Sequence, residues 1–314
     1  MLDPIVSGSL FDRTLIYVTG KGGVGKTTVA AALGVAAAAR GKRTIVCEVA
    51  EQDTISRAFA KAGVSQEREA RLADDLYAIT VDPQAALEEW LGRQVGGSAL
   101  KILTRSQAFN YFVAAAPGAK EMITIAKVWE LAQLERWDRA GRTYDLVIVD
   151  APASGHGVAM LKTPSTFGDI AKVGPIQRQA YKVRDMLADP ARAGYVAVAL
   201  PEELPVNETI ELQDKVRDAV GLDLDAIVVN GVWPERLAAD GALKAVRALA
   251  EDGGPSSAPA AAVVAEERAR AQKAQVRRLR RGARSPVLTL PYLFQSEVGL
   301  DDYRELGERL ARKL

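Results

Sequence analysis

Short runs of β-branched and aliphatic residues alternate along the chain with longer amphipathic or alanine-rich stretches. The runs are Leu15–Thr19, Thr44–Val49, Leu76–Val81, Asp145–Asp150, Tyr195–Leu200, Ala226–Asn230 and Val287–Leu290. Their near-continuous apolar character predicts strands covered on both faces, as in a parallel sheet between helical layers. Helices are predicted over Lys26–Arg40, Pro83–Gln94, Ser98–Ala115, Ala119–Ala140, Val206–Val220, Glu235–Ala250 and Ala265–Arg281. The alternation predicts a doubly wound, mostly parallel α/β sheet of about seven or eight strands with helices on both faces. Parallel neighbours need crossovers, so the strands use up most of the chain, and residues 1–314 read as one domain. Two stretches interrupt the rhythm. Residues 85–140 predict a helical subdomain beside the sheet, and residues 251–262 (EDGGPSSAPAAA) predict a surface loop.

Charge and composition narrow the class. The chain has 314 residues with 41 Lys+Arg against 40 Asp+Glu, a net charge of +1, so there is no strong case for nucleic acid as a general partner. The single cysteine, Cys47, excludes an internal disulfide and a cysteine-cluster zinc site, and the single histidine, His156, excludes a multi-histidine metal site. Met1-Leu2-Asp3-Pro4 carries an acid where an export signal needs bases. The longest apolar stretch, Val29–Ala39, falls well short of the roughly 18 residues of a membrane span. A cytoplasmic protein without a membrane span is expected. The basic run Arg268, Arg270, Lys273, Arg277, Arg278, Arg280, Arg281 and Arg284 reads as a solvated helix face, with contact to anionic lipid, nucleic acid or an acidic partner as the alternative.

The most specific motif is Gly20-Lys21-Gly22-Gly23-Val24-Gly25-Lys26-Thr27, a G-x-x-x-x-G-K-[ST] loop between a predicted strand and a predicted helix. Glycines let backbone N–H groups turn inward around phosphate oxygens, and the helix N-terminus adds a partial positive charge there. Gly22, Gly23, Val24, Gly25, Lys26, Thr27 and Thr28 are therefore the expected nucleotide-binding residues, with Lys26 on the β/γ-phosphates and the Thr27 hydroxyl on Mg²⁺. These residues predict a P-loop nucleoside triphosphatase with Mg²⁺ as cofactor, and the resemblance described below implies ATP as its nucleotide. Tyr144–Asp150 (YDLVIVD) is a strand closed by an acid, and Asp150 is expected to hold Mg²⁺ through water at the strand's C-terminal edge.

Lys21 occupies a position that the general pattern leaves free. A loop reading GKGGVGKTT resembles the deviant Walker A loop of dimerising P-loop ATPases, whose extra lysine reaches across the dimer to the partner's nucleotide. A charge-assisted hydrogen bond contributes about 1.5–3 kcal/mol, and a two-fold dimer has two. About 5.5 kcal/mol moves an equilibrium from 1:99 to 99:1. Two such lysines would supply much of that.

Asp150-Ala151-Pro152-Ala153-Ser154-Gly155-His156, with Leu161 and Pro164 beyond, resembles the D-T-A-P-T-G-H switch of the arsenite-pump and tail-anchored-protein-targeting (ArsA/GET) ATPases. In the same order, Pro117-Gly118-x-x-Glu121, Asn207-Glu208-Thr209, Val229-Asn230 and Leu290-Pro291-Tyr292-Leu293 are similar to further segments of that family. The resemblance implies Asp150, Ser154, Gly155 and His156 as a nucleotide-sensing switch. It also implies Glu208 facing the partner's nucleotide, Asn230 reading the purine, and Pro291 and Leu293 in a loop over the adenine. It implies a dimer, formed with itself or with a related ATPase subunit, whose closure on ATP controls a protein or small-anion cargo.

The chain departs from that pattern twice. The family's second strand runs into D-P-A, whose Asp orients the attacking water, and ungapped registration puts Ala50 there. Glu51 or Asp53 must then substitute as the catalytic acid, or turnover is weak, with Glu48 serving the Mg²⁺ water shell. One cysteine cannot build a thiolate arsenite site. There is also no CxxC pair, and Met186 is the only methionine between Pro164 and Tyr195. Neither well-known cargo carries over. Two alternatives stay open: a low-turnover nucleotide-binding scaffold paired with a related subunit, and a partition or cell-division ATPase.

Overall fold

The computed structural model describes residues 9–49, 69–95, 118–138, 141–171, 173–237, 239, 241–253, 257–295 and 297–314. Its strands are β1 (Leu15–Gly20), β2 (Thr44–Glu48), β3 (Ala70–Ala73), β4 (Leu76–Thr80), β5 (Leu146–Asp150), β6 (Ala193–Ala199), β7 (Ala226–Val232) and β8 (Val287–Pro291). They form one sheet in the order β3-β4-β2-β5-β1-β6-β7-β8. Every pairing is parallel except β3 with β4. Leu15 lies opposite both Val147 of β5 and Ala193 of β6, so β1 runs through the middle of the sheet with later strands on either side.

The helices are α1 (Lys26–Ala38), α2 (Pro83–Val95), α3 (Ala119–Leu131), α4 (Ser154–Ile170), α5 (Pro175–Leu187), α6 (Glu203–Val220), α7 (Ala242–Gly253), α8 (Ala258–Gly282) and α9 (Leu300–Ala311). Strand alternation sorts them into two layers. Leu15 and Tyr17 face a core built with α3, α4, α5, α6 and α8, through residues such as Val128, Leu161, Val183, Val216 and Leu279. Ile16 and Val18 face a second core built with α1 and α9. Helix α1 is buried without a break from Val29 to Ala37, because it lies between the sheet and α9. A helix enclosed on all sides is apolar all round, and this one combines alanines with Val29, Leu33, Gly34 and Val35. Gly307 of α9 marks the tightest approach: an added Cβ would stand 2.5 Å from the Ala32 carbonyl oxygen.

The doubly wound sheet with helices on both faces is as the hydrophobic pattern predicts, and all seven predicted runs are strands. Several helices differ. The stretch predicted as one helix over Ala119–Ala140 stops at Leu131. Beyond it, the Arg136 guanidinium folds back on Glu130, a fully buried carboxylate, at 2.6 Å. Helix α6 begins three residues earlier than predicted, and α7 starts at Ala242 rather than Glu235. The predicted loop 251–262 is largely helical: α7 runs to Gly253, and α8 begins at Ala258 with Ser257 as its N-cap. Between Pro164 and Tyr195 lie the end of α4, with Pro164 inside it, and the whole of α5. The predicted helix Ser98–Ala115 lies outside the described residues. So does much of the proposed subdomain 85–140, whose described helices α2 and α3 pack on each other while α3 also packs on β5, α4 and α5.

Gly307→Ala should force α9 off α1, with a cost of about 1–3 kcal/mol for overpacking a close contact. Urea denaturation checks this, and an unchanged midpoint would show that the two helices are not in contact at Ala32.

Candidate functional site

The loop after β1 is shaped by its glycines. Gly20 has φ 147°, and a Cβ there would lie 2.3 Å from the Val198 carbonyl oxygen of β6. Gly25 is the N-cap of α1 with φ 91°, a left-handed conformation that costs a side-chain-bearing residue energy. Because Gly25 offers no side chain to cap the helix, the first N–H groups of α1 are left for another acceptor. These elements open onto a cavity of about 390 Å³ lined by Gly22, Gly23, Gly25, Lys26, Thr27, Glu48 and Asp150–Ala153, a size suited to a small phosphorylated molecule.

The side chains there are arranged around charge. Lys26 Nζ donates to the Lys21 carbonyl oxygen at 3.0 Å, and burial pulls its ammonium below the usual lysine range, with Asp150 opposing. Thr27 Oγ1 donates to Asp150 Oδ2 at 2.6 Å. Asp150 Oδ1 is buried and has no hydrogen-bond partner among the described residues. Burial pushes the Asp150 carboxyl up, and the Thr27 hydrogen bond and Lys26 oppose this. A cation and an acid both perturbed by desolvation in one cleft mark it as a candidate functional site. A threonine hydroxyl, a free carboxylate oxygen and the neighbouring Glu48 are all oxygen donors, so the residues present fit Mg²⁺.

Most of the nominated residues meet at this edge of the sheet. Thr28 is half-buried in the first turn of α1. Asn230 of β7 donates its amide to the Val24 carbonyl oxygen at 3.1 Å, bracing the loop from the far side. Pro291 ends β8, and Leu293 packs on the α1-side core. Ser154, Gly155 and His156 form the first turn of α4, with His156 exposed. Lys21 forms an ion pair at 2.7 Å with Glu208 of α6, each about one third exposed. Glu51 and Asp53, together with Ala50, lie outside the described residues. Cys47 is fully buried, and burial pushes its thiol far up.

The sequence did not reveal an aromatic trio just past the ends of β7 and β8. Trp233 follows β7, while Tyr292 and Phe294 follow β8. Their ring centroids are 4.9–5.3 Å apart, and Tyr292 and Phe294 are exposed. The only available signal was three aromatics just past two strand ends. Arg268 lies over the Trp233 ring and Arg236 over Phe294. Much of the basic run is thus locally engaged: Arg270 pairs with Glu266, Lys273 with Glu235, and Arg284 with Asp214 and Asp223.

The chain matches the profile of a family described as anion-transporting ATPases over residues 13–179 and 169–251. It is 31% identical to ATPase BagA of Mycobacterium tuberculosis over 229 residues, covering 71% of this chain and 66% of that protein. It is 27% identical to an arsenical pump-driving ATPase of Acidiphilium multivorum over 250 residues, covering 73% of this chain and 41% of the relative. It is 26% identical to ATPase GET3 of Kluyveromyces lactis over 251 residues, covering 68% and 71% respectively. The chain therefore spans just under two thirds of the mycobacterial relative's length. Among the described residues no helix is long and apolar enough to cross a membrane.

Gly25→Ala should destabilise the fold, since its Cβ would meet the Asn230 amide at 2.1 Å and its φ would stay positive. Adding Asn230→Gly should relieve the collision but leave the backbone cost of about 1–3 kcal/mol. Thermal melts of both variants check this, and full recovery in the double variant would contradict it.

Proposed function

The chain belongs to the anion-transporting ATPase family, and from that premise we propose that it is a Mg²⁺-dependent ATPase working as a dimer, with a second copy or a related subunit. The observation that carries this reading is the half-buried Lys26 ammonium beside the Thr27–Asp150 hydrogen bond, at the mouth of a glycine loop that opens α1. Gly22–Gly25 and the free N–H groups of α1 cradle the phosphates, and Lys26 neutralises them. Thr27 would hold the cation directly and Asp150 through water. When bound, the cation neutralises charge that develops on the transferred phosphoryl group. Asn230, Pro291 and Leu293 take the base side. The aromatic trio past the ends of β7 and β8 offers a stacking surface.

Lys21 and Glu208 give the dimer its switch. Their ion pair is partly solvated, and such pairs contribute about 0–1 kcal/mol. A phosphate of a second copy's nucleotide offers Lys21 a charge-assisted bond of about 1.5–3 kcal/mol. Exchange of Glu208 for that phosphate is therefore favourable, and it turns nucleotide binding into subunit closure. The closure reaches α4, whose first turn carries Ser154–His156 directly after the Asp150 loop. A protein or small-anion cargo is gated in this way. Arsenite capture through thiolates is not part of the proposal, because the single cysteine is sealed in β2.

Purified protein should hydrolyse ATP, and Lys26→Ala should abolish turnover. A parent protein without turnover or ATP affinity would sink the reading. Lys21→Ala should lose ATP-dependent association in sedimentation velocity while the single chain still takes up nucleotide; ATP-driven dimers formed equally well without Lys21 would contradict its role across the interface. The scaffold reading draws on Ala50. If that reading is right, Ala50→Asp should raise a near-zero rate at least tenfold, and a parent already turning over at ordinary ATPase rates would exclude it.

A further inference from the structure

Strand alternation gives β2 and β5 a shared inner edge. Val46 and Ile148 both lie in the core under α1, and the next positions of the same parity are Glu48 and Asp150. These close their strands as direct partners in the parallel register. Both carboxylates are buried, 2% and 9% exposed. Both line the cavity that holds Lys26 and Thr27. One oxygen of Asp150 is taken by Thr27, while Oδ1, also buried, has no hydrogen-bond partner among the described residues.

We propose that Glu48 is the second carboxylate of the divalent-cation site, holding with Asp150 the water shell of the cation that Thr27 ligates. This rests on the ATP-binding reading above and deepens it. Burying a carboxylate at the end of an otherwise apolar strand is costly. The cavity lining sets both carboxylates beside Lys26 and Thr27. Mg²⁺ keeps several waters and is held by few protein carboxylates, and two acids side by side on one strand edge suit that mode.

The test is Mn²⁺ affinity, read by electron paramagnetic resonance on the full chain with saturating ADP, with each variant's cation-free ADP affinity as its reference. Glu48→Gln should weaken Mn²⁺ binding at least tenfold, as loss of outer-shell partners does. Glu48→Asp keeps the charge but withdraws it by one methylene, and it should weaken binding about threefold; if the glutamine variant does not fold, this one decides alone. Mn²⁺ affinity within twofold of the parent in the folded variants would overturn the proposal while leaving the ATP site intact. A parent that binds no ADP at all would overturn both.

Discussion

The structure is organised around the 2.6 Å hydrogen bond from Thr27 to Asp150. It ties the loop after β1 to the end of β5, and it needs those strands to be neighbours. The parallel register from Leu15↔Val147 to Val18↔Asp150 provides this. Helix α1 must then start at that edge and run back under the sheet, where α9 covers it. Its unbroken run of apolar residues follows from that enclosure, as does the glycine at position 307. The cost of the arrangement appears as two perturbed groups: a lysine pulled down and an aspartate pushed up by burial, each partly compensated by the other. Phosphate and cation would complete what the protein leaves unbalanced.

The second organising contact is Lys21 with Glu208, which joins the phosphate loop to α6. It is partly solvated and therefore weak, whereas the Thr27–Asp150 contact is largely enclosed. That difference separates a fixed part of the site from a part able to change partners. In the proposed cycle, nucleotide is gripped by the fixed part and sensed by the exchangeable one. The aromatic trio and the Asn230 brace belong to the fixed side, because both stand on the ends of β7 and β8.

Much of this was legible in the chain itself. The phosphate loop, the strand ending in Asp150 and the central strands carry dense signals, since a strand buried on both faces has little freedom in composition. The misses have physical causes. β3 reads Ala-Arg-Leu-Ala, with no β-branched residue, and forms only because the turn at Asp74-Asp75, with Asp75 at φ 54°, folds it back on β4. α4 opens with glycines and contains Pro164, which reads as a loop until packing against α5 and α6 fixes it as helix. α9 has a plain period in Tyr303, Leu306 and Leu310, but the segment before it was read only for its part over the adenine. The Lys21–Glu208 contact joins residues 187 apart in sequence. Sequence set both toward a partner's nucleotide, and only the fold shows them meeting within one chain.

A crystal structure with Mg²⁺ and a non-hydrolysable ATP analogue tests the central claim most directly. The account predicts two subunits face to face, Lys26 on the phosphates of its own nucleotide, and Lys21 released from Glu208 onto the phosphates bound by the opposite subunit. A single chain with nucleotide in the loop and Lys21 still paired to Glu208 would contradict it.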